Sequence, residues 1–222
     1  MRGEAIISGM DNALAAEVLH TARAMNACGI NRGTAGNVSA RYADTSAGFL
    51  ITPSGMAYDV IGADDIVAMS MDGGWQGARK PSSEWRFHRD IYAAKAEVGA
   101  VVHTHSSFAT TLACMGCAIP PFHYMVARFG GKDVRCATYA TFGSQELSDA
   151  ALQALQGRSA CLLAHHGMIV CGRDLKQALA LAVELETLCE QYWRVLQIGA
   201  PQLLPDEEME LVLEKFAGYG QR

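Results

Sequence analysis

Short strand-like runs alternate with helical patterns along this 222-residue sequence, and that alternation is its strongest constraint on the fold. Apolar runs such as residues 49–51 end in turn-forming segments, here Thr52-Pro53-Ser54-Gly55. A helical stripe of leucine, alanine and tryptophan marks residues 175–196. Interleaved strands and helices predict an α/β fold. Short strands joined by tight turns favour a sheet that is partly antiparallel.

Periodicity and turn residues set the bounds of the predicted elements. Helices are expected over residues 11–28, 82–96, 107–115, 145–155, 175–196 and 206–216. Strands are expected over residues 38–40, 49–51, 66–69, 100–105, 161–163 and 168–170. Residues 118–142 give no clear pattern, because Pro120-Pro121 and Gly130-Gly131 interrupt them. With no repeat, linker or shift in composition, residues 1–222 are predicted to form one domain.

Charge and cysteine content exclude several classes of protein. The 18 basic and 23 acidic residues give a net charge of −5 without a basic cluster, so nucleic-acid and anionic-membrane binding are not expected. Neither a signal peptide nor a transmembrane helix is expected, because the N-terminal apolar run is too short and no apolar stretch reaches about 18 residues. Seven cysteines, an odd number, favour a reduced cytoplasmic protein. The single Cys114–Cys117 pair has no second pair to complete a structural zinc site.

Histidines and one glutamate are the candidate metal ligands. His103 and His105 are two residues apart in a β-branched run, so both face the same side of a strand. They could share a cation or simply be two partly buried histidines. Only one of His165 and His166 can join them, and the spacing does not say which. Glu84 could complement a helix dipole or complete a three-histidine, one-carboxylate site, for which zinc is the first choice.

Small polar residues near glycine are the candidate anion-binding groups. Ser82 and Ser83 lie at a predicted helix start, where hydroxyls and free backbone N–H groups suit a phosphate. Ordinary N-capping explains the same residues. Two other segments combine a close backbone approach with polar donors, namely Gly36-Asn37 and Ser54-Gly55. Their occurrence together with the metal set suggests a small phosphorylated substrate held beside a cation.

Five motifs occur in one order along the chain: Gly33-Thr34-Ala35-Gly36-Asn37-Val38-Ser39, Ile51-Thr52-Pro53-Ser54-Gly55, Pro81-Ser82-Ser83-Glu84-Trp85, Val102-His103-Thr104-His105 and His165-His166-Gly167. Together they resemble the zinc-dependent class II aldolases of the fuculose-phosphate aldolase and ribulose-phosphate epimerase superfamily. The resemblance continues through His123-Tyr124-Met125, residues 139–143 and the C-terminal residues 213–220, and so covers nearly the whole chain.

The resemblance implies a single three-layer α/β domain, with a central, largely antiparallel or mixed sheet flanked by helices. It also implies a homotetramer with active sites between subunits. One zinc ion per chain, or cobalt or manganese in its place, would be bound by Glu84, His103, His105 and His166. The substrate phosphate would be held by Asn37, Ser54, Gly55, Ser82 and Ser83. Tyr124 would reach in from a neighbouring subunit, and Tyr219 would lie over the site from the C-terminal tail.

The implied reaction is reversible, metal-dependent cleavage of a ketose 1-phosphate to dihydroxyacetone phosphate and an aldehyde. Glu84 would move the proton at the reacting carbon, and Tyr124 the proton on the aldehyde-side oxygen. The superfamily also contains epimerases, decarboxylases and non-catalytic adducin-like domains. Glutamate rather than aspartate at position 84, together with Tyr124, favours aldolases.

Departures from the fuculose-phosphate pattern concern the aldehyde side of the substrate. They lie at Ser106-Ser107-Phe108, Phe122 and Lys132. Lactaldehyde is the default product of cleavage. Glycolaldehyde, acetaldehyde and an aldehyde bearing an alkylthio group, as released from methylthioribulose 1-phosphate, suit the same dihydroxyacetone-phosphate half.

Overall fold

The computed structural model describes residues 2–43 and 48–218, with side chains from residue 12 onward. Its helices are α1 (Arg2–Ala27), α2 (Trp85–Ala94), α3 (Ser107–Cys114), α4 (Gln145–Ala154), α5 (Leu175–Ile198) and α6 (Asp206–Ala217). Its strands are β1 (Asn37–Arg41), β2 (Phe49–Ile51), β3 (Val67–Met69), β4 (Trp75–Gln76), β5 (Ala100–Thr104), β6 (Arg135–Ala137), β7 (Ala160–Leu163) and β8 (Gly167–Gly172). Short 3₁₀ helices cover Ala63–Asp65 and Tyr124–Phe129.

These strands form one sheet in the order β4-β3-β2-β1-β5-β8-β7-β6. Every neighbouring pair is antiparallel except β6 and β7, which are parallel. The predicted mixed, largely antiparallel sheet is therefore confirmed. Strand β5 lies near its centre, where Asn37 of β1 is paired with His103 and Met168 of β8 with Thr104.

Alternate residues of the strands build two separate apolar cores, one on each face of the sheet. Val38, Val102 and Val170 belong to the core that packs against α1, α3, α5 and α6. Val101 and Ile169 belong to the core that packs against α2 and α4. The helices therefore cover both faces, which confirms the expected three-layer arrangement.

Several regions differ from the sequence-based expectation. Helix α1 begins at Arg2 rather than at residue 11, and strand β4 was not expected. Helix α2 begins at Trp85 rather than at Ser82, because the preceding residues extend along the end of β2 and Pro81 forms a bridge with Pro53. Glu84 is consequently the N-cap of α2. The interval 118–142, which showed no clear pattern, contains β6 and a 3₁₀ helix that ends at Gly130 in the left-handed conformation.

Candidate active site

Four side chains from separate segments meet at one end of the sheet. His103 is in β5, His105 follows that strand, His166 lies in the turn between β7 and β8, and Glu84 caps α2. One potential ligand atom from each residue lies within 4.8 Å of all the others. The centroids of the three imidazole rings are 4.7 to 4.9 Å apart. Residues far apart in sequence thus offer their donor atoms to one point.

The backbone of the neighbouring strand fixes the orientation of His103. Its Nδ1 lies 2.9 Å from the Met168 carbonyl oxygen, which only accepts hydrogen bonds, so Nδ1 carries the proton. Nε2 is therefore the nitrogen that faces the other three side chains. This Nε2 is 3.1 Å from Nε2 of His105 and 3.2 Å from Oε2 of Glu84. A backbone partner on the far nitrogen is the usual support of a metal-binding histidine.

Glu84 supplies the negative charge of the group. Its Oε1 is buried 3.2 Å from Nε2 of His166, yet it forms no hydrogen bond within the described part of the chain. Burial favours the neutral acid, but His103 and then His166 outweigh it and hold the pKa of Glu84 well below its ordinary value. The carboxylate is therefore charged, and one of its oxygens is left for another partner.

His105 completes a donor set suited to a divalent cation. Burial, followed by the neighbouring His103 and His166, lowers the pKa of His105 to about 4. The ring is therefore neutral at physiological pH, and neutral imidazole is the form that binds metals. Three imidazole nitrogens and a buried, charged carboxylate fit a divalent transition metal.

Comparison with known proteins agrees with this geometry. The family model described as "Class II Aldolase and Adducin N-terminal domain" matches residues 16–193. The chain belongs to this family. The membership expected from the motifs is thereby confirmed, and the four-residue group lies within the matched range.

Named relatives in the family are aldolases acting on sugar phosphates. The "5-methylthioribulose-1-phosphate/5-deoxyribulose-1-phosphate aldolase" of Rhodospirillum rubrum is 59% identical, over 91% of this chain and 90% of its own length. The "L-fuculose phosphate aldolase" of Escherichia coli is 45% identical, over 95% of this chain and 97% of its own. A solved structure named "L-fuculose 1-phosphate aldolase" superposes with a TM-score of 0.89 at 38% identity, covering 92% of this chain and 96% of that one.

The turn between β7 and β8 separates the two adjacent histidines. His165 has a φ of 56°, in the left-handed region, and its exposed ring lies 5.9 Å from that of Tyr139. His166 consequently faces the metal group, whereas His165 does not. Gly167 is required beside them, because a Cβ there would lie 2.3 Å from the Thr104 carbonyl oxygen.

The segments expected to bind phosphate run side by side in this family member. The Ser82 N–H donates to the Thr52 carbonyl at 3.0 Å, and the Ser54 N–H donates to the Lys80 carbonyl at 3.0 Å. These bonds place the turn after β2 against the segment that enters α2. Both lie next to the metal group, because Glu84 is the N-cap of that same helix.

Within these segments the expected phosphate-binding residues differ in exposure. Ser54, Gly55 and Ser83 are exposed, and Gly55 has a left-handed φ of 66° that favours glycine. Ser82 is buried, and its Oγ accepts the Glu84 N–H at 3.3 Å. The exposed members therefore surround a surface position at the start of α2, while Ser82 supports the cap.

Asn37 makes contacts that the sequence did not predict. It is buried, its Nδ2 donates to Oε2 of Glu84 at 2.9 Å, and its Oδ1 lies 2.5 Å from Nε2 of His88. The partner His88 was not among the expected site residues. A signal was present, because Glu84, His88 and Tyr92 are spaced by four residues and therefore share one face of a helix.

Tyr124 lies apart from the metal group. It begins the 3₁₀ helix, is 49% exposed, and stacks parallel to Phe216 of α6 at a centroid distance of 6.4 Å. Across residues 12–43 and 48–218, no hydrogen bond or ring contact links it to Glu84 or the three histidines. Tyr219 lies outside the described residues.

The helices and the cysteines were also compared with the sequence-based expectations. None of the helices in the described part of the chain has the length and apolar character needed to cross a membrane. All seven cysteines are free thiols, and Cys114 and Cys117 lie outside the metal group.

Proposed function

We propose that this protein cleaves a 5-substituted or 5-deoxy ribulose 1-phosphate, methylthioribulose 1-phosphate first, into dihydroxyacetone phosphate and an aldehyde. Fuculose 1-phosphate is the second substrate to test. The observation that carries the proposal is the convergence of Glu84 with three imidazoles in a chain of the class II aldolase family. The order of substrates follows the identity to the two named relatives, 59% and 45%.

Glu84, His103, His105 and His166 would hold one zinc ion per chain, with cobalt and manganese as the other candidates. Three nitrogens and one carboxylate oxygen are typical ligands of zinc. When bound, the ion would stabilise the negative charge that develops on the substrate oxygens as the carbon–carbon bond breaks. The buried Oε1 of Glu84, which has no hydrogen bond in the described part of the chain, supports this ligand role.

Glu84 would also act as the base that moves the proton at the reacting carbon. Its low pKa keeps it ionised, and Asn37 holds only one of its two oxygens. The other oxygen, a metal ligand in the resting protein, would reach the substrate once substrate oxygens take its place. In cleavage it would return the proton to the carbon of the dihydroxyacetone-phosphate half. Tyr124 would exchange the proton on the aldehyde-side oxygen.

The phosphate would be held by hydroxyls, an amide and backbone N–H groups rather than by lysine or arginine. Ser54, Gly55 and Ser83 would meet it at the exposed start of α2, where the helix dipole favours an anion. The buried Ser82 and the Asn37 amide would complete the site on its interior side. This arrangement accounts for anion binding by a chain of net charge −5.

The assembly we propose is a homotetramer with each active site shared between subunits. Tyr124 is half exposed and, among the described residues, makes no hydrogen bond or ring contact with the metal group of its own chain, which supports its use by a neighbour. We also place the protein in the cytoplasm, because seven free thiols suit a reducing compartment. Nucleic acid and membranes are not among the proposed partners.

The test is release of dihydroxyacetone phosphate, measured with a coupled reductase. Methylthioribulose 1-phosphate, deoxyribulose 1-phosphate and fuculose 1-phosphate are each supplied to zinc-loaded protein and to the Glu84→Gln variant. We expect cleavage by the parent and a loss of about 100-fold or more in the variant. Inversion at a substrate carbon without release of dihydroxyacetone phosphate would instead identify an epimerase and contradict the proposal.

A further inference from the structure

Behind Glu84, buried polar side chains of β1 and α2 form one continuous row. Asn37 and Ser39 share a face of the strand, and Glu84, His88 and Tyr92 share a face of the helix. Hydrogen bonds alternate between the two elements: Glu84 to Asn37 at 2.9 Å, Asn37 to His88 at 2.5 Å, His88 to Ser39 at 2.7 Å, and Ser39 to Tyr92 at 2.7 Å. Side chains four residues apart on the helix thus face side chains two residues apart on the strand.

The chemistry of the partners fixes the position of every hydrogen in this row. Oε2 of Glu84 accepts the Asn37 N–H, so the amide presents its Oδ1 to His88. An amide oxygen only accepts, so His88 must carry its proton on Nε2. Nδ1 of the neutral ring then accepts from the Ser39 hydroxyl, which in turn accepts from Tyr92.

Burial keeps His88 and Tyr92 in the required protonation states. His88 is fully buried, and that burial lowers its pKa to about 3, so the ring is neutral with a single proton. Burial also raises the pKa of Tyr92 well above its ordinary value, so the phenol keeps its hydrogen. The row therefore has one consistent direction of donation, from Tyr92 towards Glu84.

We propose that His88 is a positioning residue, whose Nε2–H holds the Asn37 amide in the one orientation that donates to Glu84. A rotated amide would place Oδ1 against the Glu84 carboxylate, where two acceptors repel each other. Without His88 the Asn37 oxygen loses its donor, and only the contact with Glu84 still favours this orientation. The orientation of Asn37 follows from its contacts with Glu84 and His88. The effect of that orientation on Glu84 as a metal ligand and base rests on the proposed function.

The first test reads the tautomer of His88 in the metal-free parent protein. Nitrogen-15 NMR of histidine-labelled protein distinguishes protonation at Nε2 from protonation at Nδ1. We expect His88 to be the Nε2–H tautomer. Its spectrum should not change between pH 6 and pH 8, because its pKa lies well below that range. An Nδ1–H tautomer would overturn the proposal, because Nε2 could not then donate to Asn37. This readout needs neither metal nor substrate.

The second test compares two amides at position 88. Glutamine reaches the place of Nε2 and can donate to Asn37, whereas asparagine reaches only the place of Nδ1. We expect His88→Gln to retain cobalt affinity and kcat within about threefold, and His88→Asn to lose about 10-fold to 100-fold in both, with KM little changed. Thermal unfolding checks that both variants are folded.

Equal behaviour of two folded variants, either both parent-like or both impaired, would contradict the positioning role. If His88→Asn does not fold, the NMR tautomer of the parent still decides the proposal. Should the protein cleave none of the sugar phosphates, the tautomer and the cobalt affinities remain readable. Failure of the proposed function is thereby kept distinct from failure of this inference.

Discussion

The two faces of strands β1 and β5 are built from alternate residues of the same short segments, yet they differ in chemistry. Val38 and Val102 face α1, α3 and α5 and belong to an apolar core. Asn37, Ser39 and His103 face the opposite side, where they form hydrogen bonds while being almost wholly buried. Alternation along a strand thus lets one segment serve the core on one face and the site on the other.

The polar face is stable because its buried groups are paired. Burying an unpaired polar group costs about 1–3 kcal/mol, so a row of five is tolerable only when each finds a partner. Oε1 of Glu84 is the exception within this row across the described residues. The unsatisfied atom belongs to one of the four proposed metal ligands.

The largest loss of activity is expected from changes to the metal ligands on the polar face. His103→Ala should remove the bound ion and lower kcat by about 1000-fold or more, since a metal supplies several kcal/mol of transition-state stabilisation. Metal analysis and the dihydroxyacetone-phosphate assay measure both effects. A metal-free variant with parent-like activity would refute the role of this face.

The neighbouring residue on the other face should show the opposite behaviour. Val102→Ala should lower the free energy of unfolding by about 2 kcal/mol, because it removes buried apolar atoms and leaves a cavity. At a temperature where the variant is folded, kcat and metal content should stay within about twofold of the parent. Urea unfolding gives the first quantity. An intact stability with lost activity would mean that the two faces are not independent.

Low pH should weaken the polar face in particular. The folded-state pKa of His88 is about 3, below its ordinary 6.5, so the unfolded chain binds a proton that the folded chain does not. The stability that His88 contributes is therefore complete above pH 6.5 and is lost as pH falls towards 3. Between its two pKa values, one such group changes the free energy of unfolding by at most about 1.4 kcal/mol per pH unit. Urea unfolding of metal-free protein between pH 6.5 and 5 should show a shallower slope in His88→Gln than in the parent; equal slopes would contradict the assignment.

The smallest expected effect is at the exposed edge of the polar face. Ser83→Ala removes one hydroxyl from the proposed phosphate site and should raise KM by about tenfold or less, with kcat unchanged. The control is Thr187→Ala, which removes an exposed hydroxyl from α5, outside every proposed site. Steady-state kinetics measure both. A fall in kcat without a change in KM would place Ser83 in the chemistry rather than in phosphate binding.

Periodicity was sufficient to predict an α/β fold with a partly antiparallel sheet and to place His103 and His105 on one strand face, whereas the three-layer arrangement was implied by the resemblance. Periodicity could not choose between His165 and His166, because that choice depends on a left-handed turn at His165. Nor could it foresee that Asn37 contacts Glu84 and His88, since these contacts join segments about 50 residues apart. The four-residue spacing of Glu84, His88 and Tyr92 was visible, but its meaning required the facing strand.

The two adjacent histidines provide a matched pair for testing whether His166, and not His165, binds the metal ion. Zinc binding by chelator-treated protein is measured by equilibrium dialysis for the parent, His166→Ala and His165→Asn, with asparagine chosen because it tolerates the left-handed turn. We predict one tightly bound ion per chain in the parent and in His165→Asn, and none at the same concentration in His166→Ala. Retention of the ion by His166→Ala, or its loss from His165→Asn alone, would contradict the assignment of the metal site.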